Sequence, residues 1–163
     1  MGTKTKIAVV VREDLAVWQK LNVTAFLSSG VAVGCPETVG EPYEDASGVK
    51  YLPMFGLPVL VYAADSDGIK EAHRRALERD LAVAVYTEEL FATSNDSDNR
   101  AQVRAVETAE LNLVGFAVFG SRNAVDKALK GLSLQGEVLG AFGLASGLRG
   151  WASSSHRYQR GSA

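Results

Sequence analysis

Hydrophobic positions alternate between short unbroken runs and spaced stripes along the chain. Lys6 to Val11 (KIAVVV), Leu81 to Tyr86 (LAVAVY) and Leu113 to Phe119 (LVGFAVF) are unbroken, rich in β-branched residues, and read as strands covered on both faces. Val49 to Phe55 and Pro58 to Ala63 read as two more strands joined at Gly56. Between them lie helical stripes. Ile69, Ala72, Ala76 and Leu77 form one face of a helix capped by Ser66 or Asp67, with Lys70, Glu71, Arg74, Arg75 and Glu78 turned to water. Ser121 caps a last helix through Ala128 that stops near Gly131. This order predicts an α/β domain, three-layer α/β/α, with a mixed sheet of about four to five strands and helices on both faces.

The stretch DLAVWQKLNVTAF, residues 14 to 26, departs from the simple stripe. On a helix capped by Asp14 and ending near Gly30 or Gly34, Val17, Trp18, Leu21 and Ala25 make one apolar face, and Val23, Phe26 and Leu27 make another roughly opposite. Such a helix is expected to be covered on both sides. Lys20 and Thr24, one turn apart, and Gln19 and Asn22 would then sit in a low-dielectric layer, where a polar group costs several kcal/mol unless it is partnered. A bound ligand is one source of that partner.

A second polar concentration is TSNDSDNRAQ, residues 93 to 102, which follows the Leu81 to Tyr86 strand. Its bland reading is a solvated turn and a helix start capped by Ser97 or Asp98; alternatively Asn99 and Arg100 point inward at an anion. Ligands of open α/β sheets gather outside the carboxyl ends of strands. If the first strand and Leu81 to Tyr86 are parallel neighbours, the two polar groups meet on one rim. Asp96, Asp98 and Glu107 match positions of a calcium loop, but Arg100 replaces an oxygen ligand and Ala101 the turn glycine, so no metal is expected.

Composition narrows the classes. With 163 residues, 47% apolar and 22% charged, one domain can bury its own core. A formal charge of −2 supplies no basic field for nucleic acid. One cysteine, Cys35, allows no intrachain disulfide and no cysteine-based zinc site. The N-terminal apolar run is too short for a signal peptide and Leu57 to Ala64 too short for a membrane span, so a soluble cytoplasmic protein is expected. His73 and His156 stand apart from any triad or metal pattern, and no G-x-S-x-G, Walker or G-x-G-x-x-G motif occurs. Cys35 to Lys50 carries Pro36, Gly40, Pro42 and Gly48 and reads as loop. From residue 133 the chain is rich in Gly, Ser and Ala; the domain is expected over 1–132, with 133–163 a disordered or loosely docked tail.

KIAVVVREDL at 6 to 15 resembles the opening of the peptidyl-tRNA hydrolase II fold, where a strand ending Val-Val-Arg-x-Asp-Leu leads into the first helix. The similarity continues through 57 to 89 and 113 to 132. WQKLNVTAFLSSG, YLPMFGLPVLVY, NRAQV and AVDKALKGL are more similar still to an uncharacterised bacterial branch of that fold, the domain-of-unknown-function 2000 family. The resemblance implies a hydrolase-like domain acting on an ester or amide. Where the hydrolases carry Gly-Lys-Gly-Lys, this chain reads Ala16-Val17-Trp18-Gln19-Lys20-Leu21, and the Asp-Ala-Gly-Arg-Thr-Gln loop is replaced by Thr87-Glu88-Glu89 and the 93 to 102 segment.

The site expected from these readings has Lys20, Asn22 and Thr24 as its chemical groups, with Lys20 as anchor or base and the other two orienting a carbonyl. Asp14, Trp18, Gln19, Thr93, Asn99 and Arg100 bind the substrate, a small polar or anionic molecule. No cofactor and no nucleic-acid partner are expected. A non-catalytic binding or regulatory module is the alternative function, and a second copy of the chain is an alternative partner.

Overall fold

A computed structural model describes residues 4–136. The first buried run becomes β1 (Thr5–Arg12), and after a short turn α1 spans Val17–Gly34. A two-stranded hairpin follows, β2 (Tyr43–Glu44) with β3 (Lys50–Tyr51). Then come β4 (Val59–Ala64), α2 (Ser66–Leu77), β5 (Ala82–Thr87), α3 (Asp96–Arg104), β6 (Leu113–Ser121), α4 (Arg122–Ala128) and β7 (Ser133–Leu134).

Five strands form one mixed sheet in the order β5-β6-β1-β4-β7. β1 runs parallel to β4 and antiparallel to β6, which in turn pairs antiparallel with β5. Alternate residues of β1 enter two separate cores, as the period of two requires. Ala8 and Val10 pack with Ile69, Ala72, Ala76, Val125 and Ala128 of α2 and α4. Ile7, Val9 and Val11 pack with Val23, Leu27 and Val31 of α1. Gly115 of β6, paired with both Val11 and Tyr86, leaves the room that lets α1 approach the sheet: a Cβ there would lie 2.5 Å from Val23 Cγ1.

Several local expectations are corrected. Asp14 does not cap α1; Ala16 occupies that position, and the Gln19 side chain accepts a bond from the Ala16 N–H at 3.0 Å. Asp65 rather than Ser66 or Asp67 caps α2, accepting from the Gly68 N–H at 2.7 Å. Ser121 caps α4 as read, accepting from the Ala124 N–H. The Val49 to Phe55 strand is reduced to the short arm β3, paired with β2 in a sheet of its own. The 93 to 102 segment is largely helical, capped by Asn95, so Asp96 and Asp98 stand on the first turn of α3 rather than in a loop. β1 and β5 are not neighbours, because β6 lies between them. The sheet also continues past residue 132, where β7 pairs with β4; residues 137–163 lie outside the described residues.

The most consequential correction concerns α1. Val23, Leu27 and Val31 are buried, but Val17, Trp18, Leu21 and Phe26 are exposed, so the helix is covered on one side of its axis and not on two. Among the described residues no helix is long and apolar enough to cross a membrane.

Candidate functional site

Helical geometry decides which of the expected site residues can meet. Lys20 and Asn22 are two positions apart, about 200° around the axis, so they leave α1 in nearly opposite directions. Lys20 points along the direction of the buried stripe Val23-Leu27-Val31, and Asn22 points away from it. On one flank, the Thr24 hydroxyl donates back to the Lys20 carbonyl at 2.7 Å, a bond made within the helix, and Lys20 is half-buried with no polar partner among the described residues. Gln19 is occupied at the helix start by the Ala16 N–H. The grouping of Lys20, Asn22 and Thr24 around one ligand is therefore not what the fold builds.

On the other flank, four aromatic rings form a chain along the seam between α1 and the edge of the sheet. Trp18 meets Phe91 edge-on at 5.8 Å, Phe91 lies 5.2 Å from Tyr86, and Tyr86 meets Phe26 at 5.9 Å. Tyr86 is 6% exposed, and its hydroxyl donates to Asn22 Oδ1 at 3.4 Å. Burial pushes the phenol pKa up, which holds it as a hydrogen-bonding O–H at neutral pH.

A groove of about 460 Å³ opens beside this chain. Phe26, Leu27 and Gly30 of α1 form one wall, and Ala84, Val85 and Tyr86 of β5 with Leu90 form the floor. The far wall is α3, through Asp96, Asn99, Arg100, Val103 and Arg104. Its size and its apolar floor with few polar groups match a site for a small molecule. Among the described residues β5 pairs only with β6, so alternate residues of its outer edge turn N–H and C=O groups away from the sheet. Asn99 is hydrogen-bonded to the Thr93 hydroxyl, whose oxygen lies 2.8 Å from the Leu90 carbonyl oxygen. Arg100 is ion-paired with Asp96 one turn earlier, whereas Arg104 is exposed and carries no ion pair within the described residues.

Of the expected residues, Asn99 and Arg100 line the groove, Asn22 and Thr93 stand behind its wall, bonded to Tyr86 and Asn99, and Trp18 ends its aromatic chain. Asp14 is elsewhere. It joins a charged cluster at the carboxyl rim of the sheet, where Arg12 donates to Asp14 at 2.6 Å, to Glu88 at 3.0 Å and to Asn112 at 3.3 Å. Burial alone would lower the Arg12 pKa, but these carboxylates overcome it and raise it. The cluster ties the ends of β1 and β5 to the entry of β6, which suits a brace better than a reactive centre. A second cavity of about 520 Å³ adjoins Glu13, Asp65 and Gly68; its wall ends at Gly136, the last described residue. Among the described residues no three His, Cys, Asp or Glu side chains are placed to hold a metal ion.

Tyr86 and Arg104, which line the groove, and Phe91, which packs on Tyr86 beside it, were not singled out by sequence reasoning. Tyr86 closes the apolar run LAVAVY, where an aromatic with a polar tip at a strand end is a weak signal of a site edge. Arg104 would follow from extending the helix that Asn95 starts.

No curated protein matches the chain. A solved structure of a protein of unknown function from Agrobacterium tumefaciens strain C58 is similar, with 45% identity, covering 82% of this chain and 99% of that one at a TM-score of 0.79. Residues 5–135, which include every strand, helix and groove residue named above, match the family described as "Protein of unknown function (DUF2000)", and the chain belongs to that family.

Proposed function

We propose that this protein is a cytoplasmic binding module that takes a small polar or anionic molecule in the groove between α1 and α3. The three-layer arrangement of a peptidyl-tRNA hydrolase II-like domain would serve here as a scaffold for binding. The observation that carries the reading is the composition of the groove. An aromatic and aliphatic floor offers contact area, while the open edge of β5, Asn99 and Arg104 offer directional donors and a positive charge without a desolvated partner. The one carboxylate on its wall, Asp96, is engaged by Arg100. Hydrolysis of an ester or amide, implied by the resemblance, is the competing reading.

N-acetylglycine and inorganic phosphate serve as probes, followed by thermal shift and calorimetry, with p-nitrophenyl acetate as the turnover control. Saturable stabilisation is expected that Arg104→Met and Asn99→Ala weaken at least tenfold, about 1.4 kcal/mol, while Lys20→Met leaves it unchanged. Ester turnover lost in Lys20→Met would restore the hydrolase reading and the other flank of α1. Stabilisation insensitive to Arg104→Met and Asn99→Ala would remove the groove.

A further inference from the structure

Side chains of a strand alternate between the two faces of a sheet, so a cavity that meets three consecutive residues of one strand lies against its edge. The groove beside β5 meets Ala84, Val85 and Tyr86 in that way. Ala84 and Tyr86 pack on the α1 side of the sheet, and Val85 on the side of α2 and α4. The walls agree. Leu27 of α1 belongs to the core of the first face, whereas Val103 of α3 packs against the core of the second. The two helices thus flank the free edge of the terminal strand, and a molecule lying between them faces main chain as well as side chains.

We infer that the groove takes a short extended peptide with a free terminal carboxylate, which rests on the binding reading above and names its ligand class. An edge strand turns N–H and C=O groups outward together at every second residue, about 7 Å apart, and what answers a donor and an acceptor in that arrangement is another peptide main chain. Three residues of β5 line the groove, and about two or three residues of peptide span that length. Charge selects the end that is bound. Asp96, Asn99, Arg100, Val103 and Arg104 stand on one face of α3 at helical spacing. Asp96 and Arg100 pair with each other, which leaves Arg104 as the cation of that wall without an ion pair among the described residues. A guanidinium holds a carboxylate through two parallel bonds, so the carboxyl end of the peptide lies toward Arg104. Phe26 and Leu90 give an apolar side chain of the peptide its contact area.

Calorimetry of the full chain tests it with N-acetyl-Ala-Phe, its terminal amide, and its two ester analogues, each with oxygen in place of one N–H; inorganic phosphate is titrated alongside. The acid is expected to bind, with the terminal amide and at least one ester about tenfold weaker. Arg104→Met should bring the acid down to the affinity of its terminal amide, and saturation with the acid should slow amide hydrogen exchange, read by NMR, within Ala84–Tyr86. Two esters that bind as tightly as the acid, or exchange in β5 that does not change on saturation, overturn the inference. Phosphate binding that Arg104→Met weakens, without binding of the acid, leaves the groove reading standing and removes the peptide. Binding of neither probe removes both.

Discussion

Replacing Gly115 with alanine tests the closest approach in the fold, where α1 comes down onto β6. The new Cβ would stand 2.5 Å from Val23 Cγ1, 3.0 Å from Leu27 Cδ1 and 3.2 Å from the Val10 carbonyl oxygen. Ordinary carbon contacts begin near 3.5 Å, so the helix must lift by about 1 Å or its side chains must leave their rotamers. The Val10 carbonyl belongs to a central strand and cannot yield. Overpacking costs about 1–3 kcal/mol, and a 2.5 Å approach beside an unyielding carbonyl belongs to the upper half, about 2–3; the lower backbone entropy of unfolded alanine returns about 0.5–1, leaving a net loss of about 1–2.5 kcal/mol. The urea midpoint should fall by about 0.5–1 M with an unchanged slope. In a Val23→Ala background the nearest clash is gone, and Gly115→Ala should cost at least about 0.5 kcal/mol less. An unchanged or raised midpoint in the single variant, or strict additivity in the double, would refute the idea that Gly115 sets the height of α1.

Two buried titratable groups make further predictions. Burial would lower the Lys6 pKa, but its bonds to Asp126 at 2.6 Å and Tyr62 at 2.7 Å raise it, so the stabilisation is present below about 10.5 and is lost as pH rises through the raised value. Asp126→Asn should cost about 1–3 kcal/mol at neutral pH, a deficit that shrinks in alkaline urea titrations; a deficit independent of pH counts against the pair. His73, buried 5.6 Å from the Phe116 ring, has its pKa lowered by burial, so the unfolded chain takes up the proton first and stability falls as pH drops below about 6.5. His73→Leu should flatten that limb below about pH 6.5, and an unchanged slope would assign it to other groups.

β1, β4, β5 and β6 were legible because their signal is local, whereas the two residues of β7 carry no pattern of their own. KIAVVV and LVGFAVF are buried on both faces wherever the chain puts them, and Ser121 and the Ile69-Ala72-Ala76 stripe need only neighbours in sequence. Strand order was not legible. Nothing within LAVAVY says that β6, about thirty residues later, will insert between it and β1, and the expected rim between β1 and β5 failed for that reason. Asp14 is not the cap because the helix starts at Val17, two residues past where Asp14 could cap it, and its carboxylate is instead bonded by Arg12, which Glu88 and Asn112 also hold. Asn99 and Arg100, read from the sequence as polar groups near a strand end, stand on one wall of the groove, and the fold brings Tyr86 opposite them.

α1 shows why periodicity misled in one place and not in α2. An apolar residue reports that a surface avoids water, not what covers it. Around the axis of α1, the core takes the sector of Val23, Leu27 and Val31, and the groove takes that of Phe26 and Gly30. The outward sector of Val17, Trp18, Leu21 and Ala25 touches solvent in the single chain. Lys20 and Thr24 hold a narrow arc beside the core, where Thr24 turns its hydroxyl back to the helix carbonyl, while Asn22 and Ser29 are exposed. A sequence with apolar residues in nearly every direction is consistent with a helix sandwiched inside one fold, but equally with one shared among a core, a groove and solvent. The expectation of buried polar groups followed from choosing the first. Exposure of Trp18 and Leu21 removes it, and with it the reason to seek a ligand for Lys20.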